Sequence, residues 1–206
     1  MINITKYSSS DMDVNTYVLA KDGHVLVIDP GFCGIKVINH CENHHLKIDG
    51  VILTHGHIDH IRDLKMLLSA DAKIYINKEE ADFLKNPNLN LSTMFRNDFV
   101  LDKNISVTVV EDEQVLDFFN EKIKFIHLPG HTKGSMGIIY NQHFFSGDTL
   151  FYDSIGRTDL PTGNNGKMQA SLKRIMSVLP KNTVVYPGHG KGGKLAEIIS
   201  INPYLN

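Results

Sequence analysis

The chain has 206 residues, 42% of them hydrophobic and 21% charged, with 23 acidic against 21 basic side chains and a formal net charge of −2. That length and balance suit one domain over residues 1–206 with a sizeable core, and they exclude an intrinsically disordered chain. A slightly anionic protein has no surplus of cations to replace phosphate counterions, so nucleic acid is not an expected partner.

No apolar run approaches the roughly 18 residues a membrane span needs, and Met1 to Lys6 lacks the basic-then-apolar start of a secretory signal. The two cysteines, Cys33 and Cys41, form no CxxC motif. Free thiols in a reducing cytoplasm are the expectation, with no membrane association.

In chain order, residues 25–28 (Val-Leu-Val-Ile) read as a strand ending at the turn signal Asp29-Pro30-Gly31. Residues 51–53 read as a buried strand. Beyond it Ile61, Leu64 and Leu68 recur at i, i+3 and i+7, which predicts an amphipathic helix with Asp59 in its first turn. A strand is predicted over 73–77 and a helix over 78–85. Asn and Pro break any period across 86–104, which reads as loop. Strands follow at 105–110 and 122–128. Residues 136–140 and 143–146 pair as a hairpin across Asn141-Gln142, a helix covers 168–179, and a last strand 183–186. Two β-rich halves, each with helices, predict an αββα sandwich of sheets with helices outside.

The histidines carry the chemistry. His55-Gly56-His57-Ile58-Asp59-His60 follows a predicted strand. Residues two apart in an extended segment point the same way, so His55 and His57 can share one ion. Asp59 and His60, at the helix start, turn toward a neighbouring position. Three more strand ends repeat the theme of one ligand-type residue beside glycine: Gly130-His131, Gly147-Asp148 and Gly188-His189. Buried structural histidines would not be distributed in this way.

Together, residues 54–60 (Thr-His-Gly-His-Ile-Asp-His), Gly130-His131-Thr132, Gly147-Asp148 and Gly188-His189-Gly190 resemble the metallo-β-lactamase superfamily. The resemblance implies an αββα fold with its metal site at one edge of the two sheets. It places His55, His57 and His131 on a first ion, Asp59, His60 and His189 on a second, and Asp148 between them. Asp29 resembles the carboxylate that holds a ligand histidine in place. Imidazole and carboxylate donors suit two divalent ions: zinc first, with iron or manganese as alternatives. Two dications, two carboxylates and a hydroxide sum to about +1, which favours an anionic small-molecule substrate.

Asp148, with the segments around it and the end of the chain, resembles the short glyoxalase II-like hydrolases, which cleave thioesters such as S-lactoylglutathione. The implied reaction is thioester hydrolysis by a hydroxide bridging two ions, with Asp59 orienting it. Where that family usually has a glycine pair after His60, this chain has Arg62-Asp63. Arg157 has two readings, a clamp for a substrate carboxylate or a structural ion pair with Asp159 or Asp153. The segment Gly156-Arg157-Thr158-Asp159 also resembles the mononuclear-iron persulfide dioxygenases of the same fold, which implies iron at His55, His131 and Asp148. Other ester or lactone hydrolysis and a metal-stabilised binding protein are further alternatives.

Overall fold

The computed structural model describes residues 1–69 and 71–205. It divides into two compact units, Met1–Val110 and Glu111–Asn206.

The first unit is built on a six-stranded sheet whose strands lie side by side in chain order: β1 (Asn3–Ser8), β2 (Asn15–Lys21), β3 (His24–Ile28), β4 (Lys47–Ile52), β5 (Lys73–Asn77) and β6 (Val107–Val110). The first three pair antiparallel and the rest parallel. Parallel neighbours need crossovers. Helix α1 (Gly34–Asn43) supplies that from β3 to β4; from β4 to β5 the chain passes through α2 (Ile58–Ile61) and a 3-10 helix at Leu64–Leu67. Val25, Val27, Val51, Ile74 and Ile76 pack with Val37 and Cys41 of α1 and with Ile61, Leu64 and Leu67. All four residues of 25–28 are buried, so both faces of the strand are covered and the run is continuously apolar.

The helix predicted from Ile61, Leu64 and Leu68 is broken in two. Asp63 is drawn onto the preceding loop, its Oδ2 accepting from Gly34 N at 2.9 Å and its N donating to Gly31 O at 2.8 Å. The chain then resumes as a 3-10 turn of three residues per turn, so the buried series is Ile61, Leu64, Leu67, while Leu68 is only half-buried. Lys78–Lys85 is also a 3-10 helix, and 86–104 is loop apart from a 3-10 turn at Ser92–Phe95.

The second unit carries β7 (Val115–Phe118), β8 (Glu121–His127), β9 (Met136–Tyr140), β10 (His143–Gly147), β11 (Val184–Pro187) and β12 (Gly193–Lys194), again side by side in chain order. Only β10 and β11 are parallel, joined through α3 (Asn165–Val178). The predicted hairpin is present, with Tyr140 opposite His143 and Asn141 at φ 51°. Helix α3 starts three residues before its predicted first residue, because Asn164 caps it by accepting from Lys167 N. Met168, Leu172 and Ile175 of α3 and Leu195 and Ile198 of α4 (Leu195–Ile201) cover Ile126, Phe144 and Val185. Among the described residues no helix is long and apolar enough to cross a membrane.

Candidate metal centre

Strand direction gathers the candidate ligands. In the first unit β3 and β4 run parallel, so Asp29 and the segment 53–60 leave from the same sheet edge. In the second, β8 and β10 are both antiparallel to β9, and β11 is parallel to β10. Strands β8, β10 and β11 therefore point one way, and His131, Asp148 and His189 emerge together beyond their C-terminal ends.

Asp29 organises the first unit's set. Its Oδ1 accepts from Thr54 N at 2.8 Å, while Oδ2 accepts from Thr54 Oγ1 at 2.6 Å and from His60 Nδ1 at 2.9 Å. A carboxylate can only accept, so His60 carries its proton on Nδ1 and presents the Nε2 lone pair. The Thr54 hydroxyl, its hydrogen directed to Asp29, must accept from His55 Nδ1 at 3.1 Å, and His55 Nε2 is likewise left as the donor atom. The expectation that Asp29 holds a histidine is met, and its reach through Thr54 extends to a second one. Asp29, His55 and His60 are all buried.

Two contacts missed in the sequence brace this loop. Glu80, fully buried, accepts from Gly56 N at 2.9 Å. Asn90 O accepts from Ile58 N at 2.8 Å, and the Asn90 amide is held by Phe83 O and Phe99 O. Gly56 has no room for a side chain, since a Cβ there would lie 2.4 Å from Phe83 Cβ. Replacing Glu80 with Ala should destabilise the protein by about 2–3 kcal/mol by leaving a buried N–H without its acceptor. Glu80→Gln, which keeps an acceptor oxygen, should retain most of that stability; urea unfolding midpoints of the two variants check the contrast.

In the second unit His131 Nδ1 donates to Arg157 O at 2.8 Å, which again fixes Nε2 as the lone-pair atom. One carboxylate oxygen, Asp148 Oδ2, lies 3.5 Å from His131 Nε2 and 3.4 Å from His189 Nε2. Helix α3 seats the His131 loop: Ser171 Oγ donates to Pro129 O and Asn164 N to Gly130 O. Thr132 and Ser135 bond each other at 2.7 Å within the loop. Gly188 N donates to Gly147 O at 2.9 Å, tying the Asp148 and His189 loops together.

These spacings fit metal ligation. Two ligand atoms about 2.0–2.2 Å from one tetrahedral ion stand roughly 3.4 Å apart. The pairs around Asp148 Oδ2 match that, as does His60 Nε2 to Asp59 Oδ2 at 3.7 Å. All are beyond good hydrogen-bond length. His55 and His57 stand with ring centroids 4.8 Å apart, perpendicular to each other.

Arg157 forms an ion pair with Asp159, one of its two readings. Its Nε and terminal nitrogen each lie 2.7 Å from an Asp159 carboxylate oxygen, and the guanidinium holds the Asp159 carboxyl down at about 2. The segment's contribution to His131 comes from the Arg157 backbone, which side-chain reasoning could not detect. Tyr152 bonds Glu197, and Tyr186 OH lies 3.0 Å from His143 Nδ1. His127 Nε2 donates to Lys133 O. Of the scattered histidines, His44 and His45 are exposed, while His24 and His40 are half-buried against Asp49 and Tyr7. Burial pushes the Cys33 and Cys41 thiols up, away from a reactive thiolate.

The sequence pattern of the metallo-beta-lactamase superfamily matches residues 10–189. The chain belongs to this superfamily, whose α/β fold class of two mixed sheets with helices is the one expected. The metallo-hydrolase chemistry of the superfamily goes with its His/Asp donor set. A "Probable metallo-hydrolase YqgX" of Bacillus subtilis is 31% identical over 95% of this chain and 93% of its own. The "Hydroxyacylglutathione hydrolase GloC" of Haemophilus influenzae is 28% identical over 87% of this chain and 86% of its own. Among solved structures, the BLEG-1 B3 metallo-beta-lactamase superposes with TM-score 0.91 at 29% identity, covering 99% of this chain and all of that one. TTHA1623 in a di-iron-bound form gives 0.83 at 28% identity, covering 98% of this chain and 100% of its own.

Proposed function

We propose that this protein is a dinuclear metallohydrolase that cleaves small anionic thioesters in the cytoplasm, without a nucleic-acid or membrane partner. In this reading His55, His57 and His131 hold one ion and Asp59, His60 and His189 the other, with Asp148 shared. The observation that carries it is the donor geometry within each unit. Imidazole Nε2 and carboxylate oxygens stand 3.4–3.7 Å apart, with the Nδ1 atoms of His60 and His131 engaged elsewhere. Zinc suits these donors, and iron in a relative makes it the competitor.

Two such ions, when bound, lower the pKa of water and polarise an acyl oxygen. The protein's own residues do the rest. Asp59, buried, offers a carboxylate that can accept a hydrogen bond from the attacking water and aim it. With water as the attacking group, no serine or cysteine nucleophile is required. Support for a thioester comes from Asp148 and from the likeness to a hydroxyacylglutathione hydrolase.

Metal quantification on protein purified without added metal, combined with a panel of thioesters, lactones and a β-lactam, tests this. Two ions per chain and fastest turnover of S-lactoylglutathione are expected. Asp148→Ala should lose activity by more than about a hundredfold, beyond the usual effect of an outer-shell partner; full activity in that variant overturns the mechanism. One iron per chain with oxygen uptake on glutathione persulfide would replace the hydrolase with a dioxygenase.

A further inference from the structure

We propose that the small cleft beside α2, with Arg62 and Lys65 as its cations, receives a carboxylate group of the substrate. This rests on the thioester reading above and adds to it the part of the protein that recognises the anionic end.

The cleft lies wholly within the first unit. Ile58 and Arg62 at α2, Asp63, Lys65, Asn97, Asp98 and Phe99 line it, and its volume is about 230 Å³. A whole drug-sized ligand takes about 300–1,000 Å³, so this space fits one end of a molecule. Arg62 caps α2 in helical geometry, φ −51° and ψ −48°, three residues after Asp59. Residues at i and i+3 share a helix face with Cβ atoms about 5–6 Å apart. The Arg62 side chain is therefore rooted about one helical turn from a candidate metal ligand.

The state of the two cations is the second observation. Arg62 stands 5.0 Å over the Phe32 ring and Lys65 Nζ 5.5 Å over that of Phe99. Among the described residues neither makes an ion pair. The other arginines with partners behave differently: Arg157 is held by Asp159, and Arg174 by Asp112 and Glu113. An aromatic face orients a cation without neutralising it and leaves the planar N–H fork open to a carboxylate. Two acids also line the cleft. Asp63 already accepts Gly34 N, and Asp98 is exposed. The Asn97 amide adds a neutral donor.

Arg157, the other candidate clamp, has both nitrogens of its fork on Asp159.

The test uses the metal-loaded protein with Arg62→Ala, Arg62→Lys and Lys65→Ala. For S-lactoylglutathione, Arg62→Ala should raise KM about tenfold with kcat nearly unchanged, the loss of a charged hydrogen bond moderated by solvent exposure. A neutral acyl thioester of N-acetylcysteamine should show no change. Lys should restore part of the loss, and Lys65→Ala should give a smaller rise of the same sign. Raising salt should weaken the wild-type preference for the anionic substrate, and do so less in Arg62→Ala, where Lys65 alone remains.

Calorimetry with S-methylglutathione, which cannot be hydrolysed, reads binding without turnover and should show about a tenfold weaker Kd in Arg62→Ala. Lost binding in a protein that hydrolyses no thioester would uphold the cleft and overturn the thioester reading. Unchanged KM and unchanged binding in Arg62→Ala overturn the cleft.

Discussion

Gly156→Ala should cost about 3 kcal/mol of stability and a large share of metal affinity, although Gly156 is not itself a candidate ligand. A Cβ at this position would stand 1.8 Å from the Asp148 carbonyl oxygen and 3.2 Å from His131 Cγ. The first obstacle is backbone, which cannot rotate away as a side-chain tip can, so the expected cost lies at the upper end of about 1–3 kcal/mol for overpacking. For a chain of this size that is a fall of roughly 6–12 °C in Tm. The displacement also moves the neighbouring Arg157 carbonyl, which fixes the proton of His131 on Nδ1. Loss of such an outer partner weakens metal binding by about 10–100-fold. Thermal unfolding of the metal-free protein and chelator competition measure the two effects separately. Gly166→Ala is the control: near the start of α3 a Cβ meets only Asn164 Oδ1 at 3.4 Å, so that variant should be neutral or slightly stabilised. Wild-type metal affinity in Gly156→Ala would show that the 155–157 segment does not position His131.

What could be read in advance follows from how local each interaction is. The strand at 25–28 and the 136–146 hairpin were legible because β-branched runs and a two-residue turn carry their own conformational preference. The candidate ligands were legible because each His or Asp stands beside glycine at the end of an apolar run. The break after Ile61 was not, since it depends on Asp63 meeting Gly34 across 29 positions of chain. Edge strand β7 is four residues long, with the charged Asp117 among Val115, Leu116 and Phe118, too short a run for a period to stand out. Glu80 lies in a predicted helix and Asn90 in a segment whose Asn and Pro residues suggest mere connection, yet both hold the backbone of the 55–60 loop. Sequence pattern identifies donor atoms. The groups that aim those atoms are mostly carbonyls and distant carboxylates, which leave no periodic trace.

Asp29→Asn is the sharper test of that aiming, because it preserves shape and removes only the ability to accept on both sides. The aspartate accepts three hydrogen bonds, from Thr54 N, Thr54 Oγ1 and His60 Nδ1, at a site only 2% exposed. An amide offers one oxygen and one NH2. With its oxygen kept on Thr54 N, the NH2 faces the threonine hydroxyl and the imidazole. His60 must then bare Nδ1 and move its proton to Nε2, the atom proposed to meet the ion. The Thr54 hydroxyl must turn to accept, and its hydrogen then points at His55 Nδ1, so the second imidazole is driven to the wrong tautomer as well. The expected outcome is metal affinity lower by about 10–100-fold, with stability of the metal-free protein changed by no more than about 1–2 kcal/mol. Thr54→Val cuts only the branch to His55 and should show a smaller loss. Asp29→Ala instead leaves several buried donors without an acceptor and should cost more than about 3 kcal/mol before metal is considered. Long-range nitrogen–proton spectra of the imidazoles report the tautomers directly. Unaltered tautomers and unaltered affinity in Asp29→Asn would mean that the imidazoles are held by packing alone, and that the Asp29 network is incidental to metal binding.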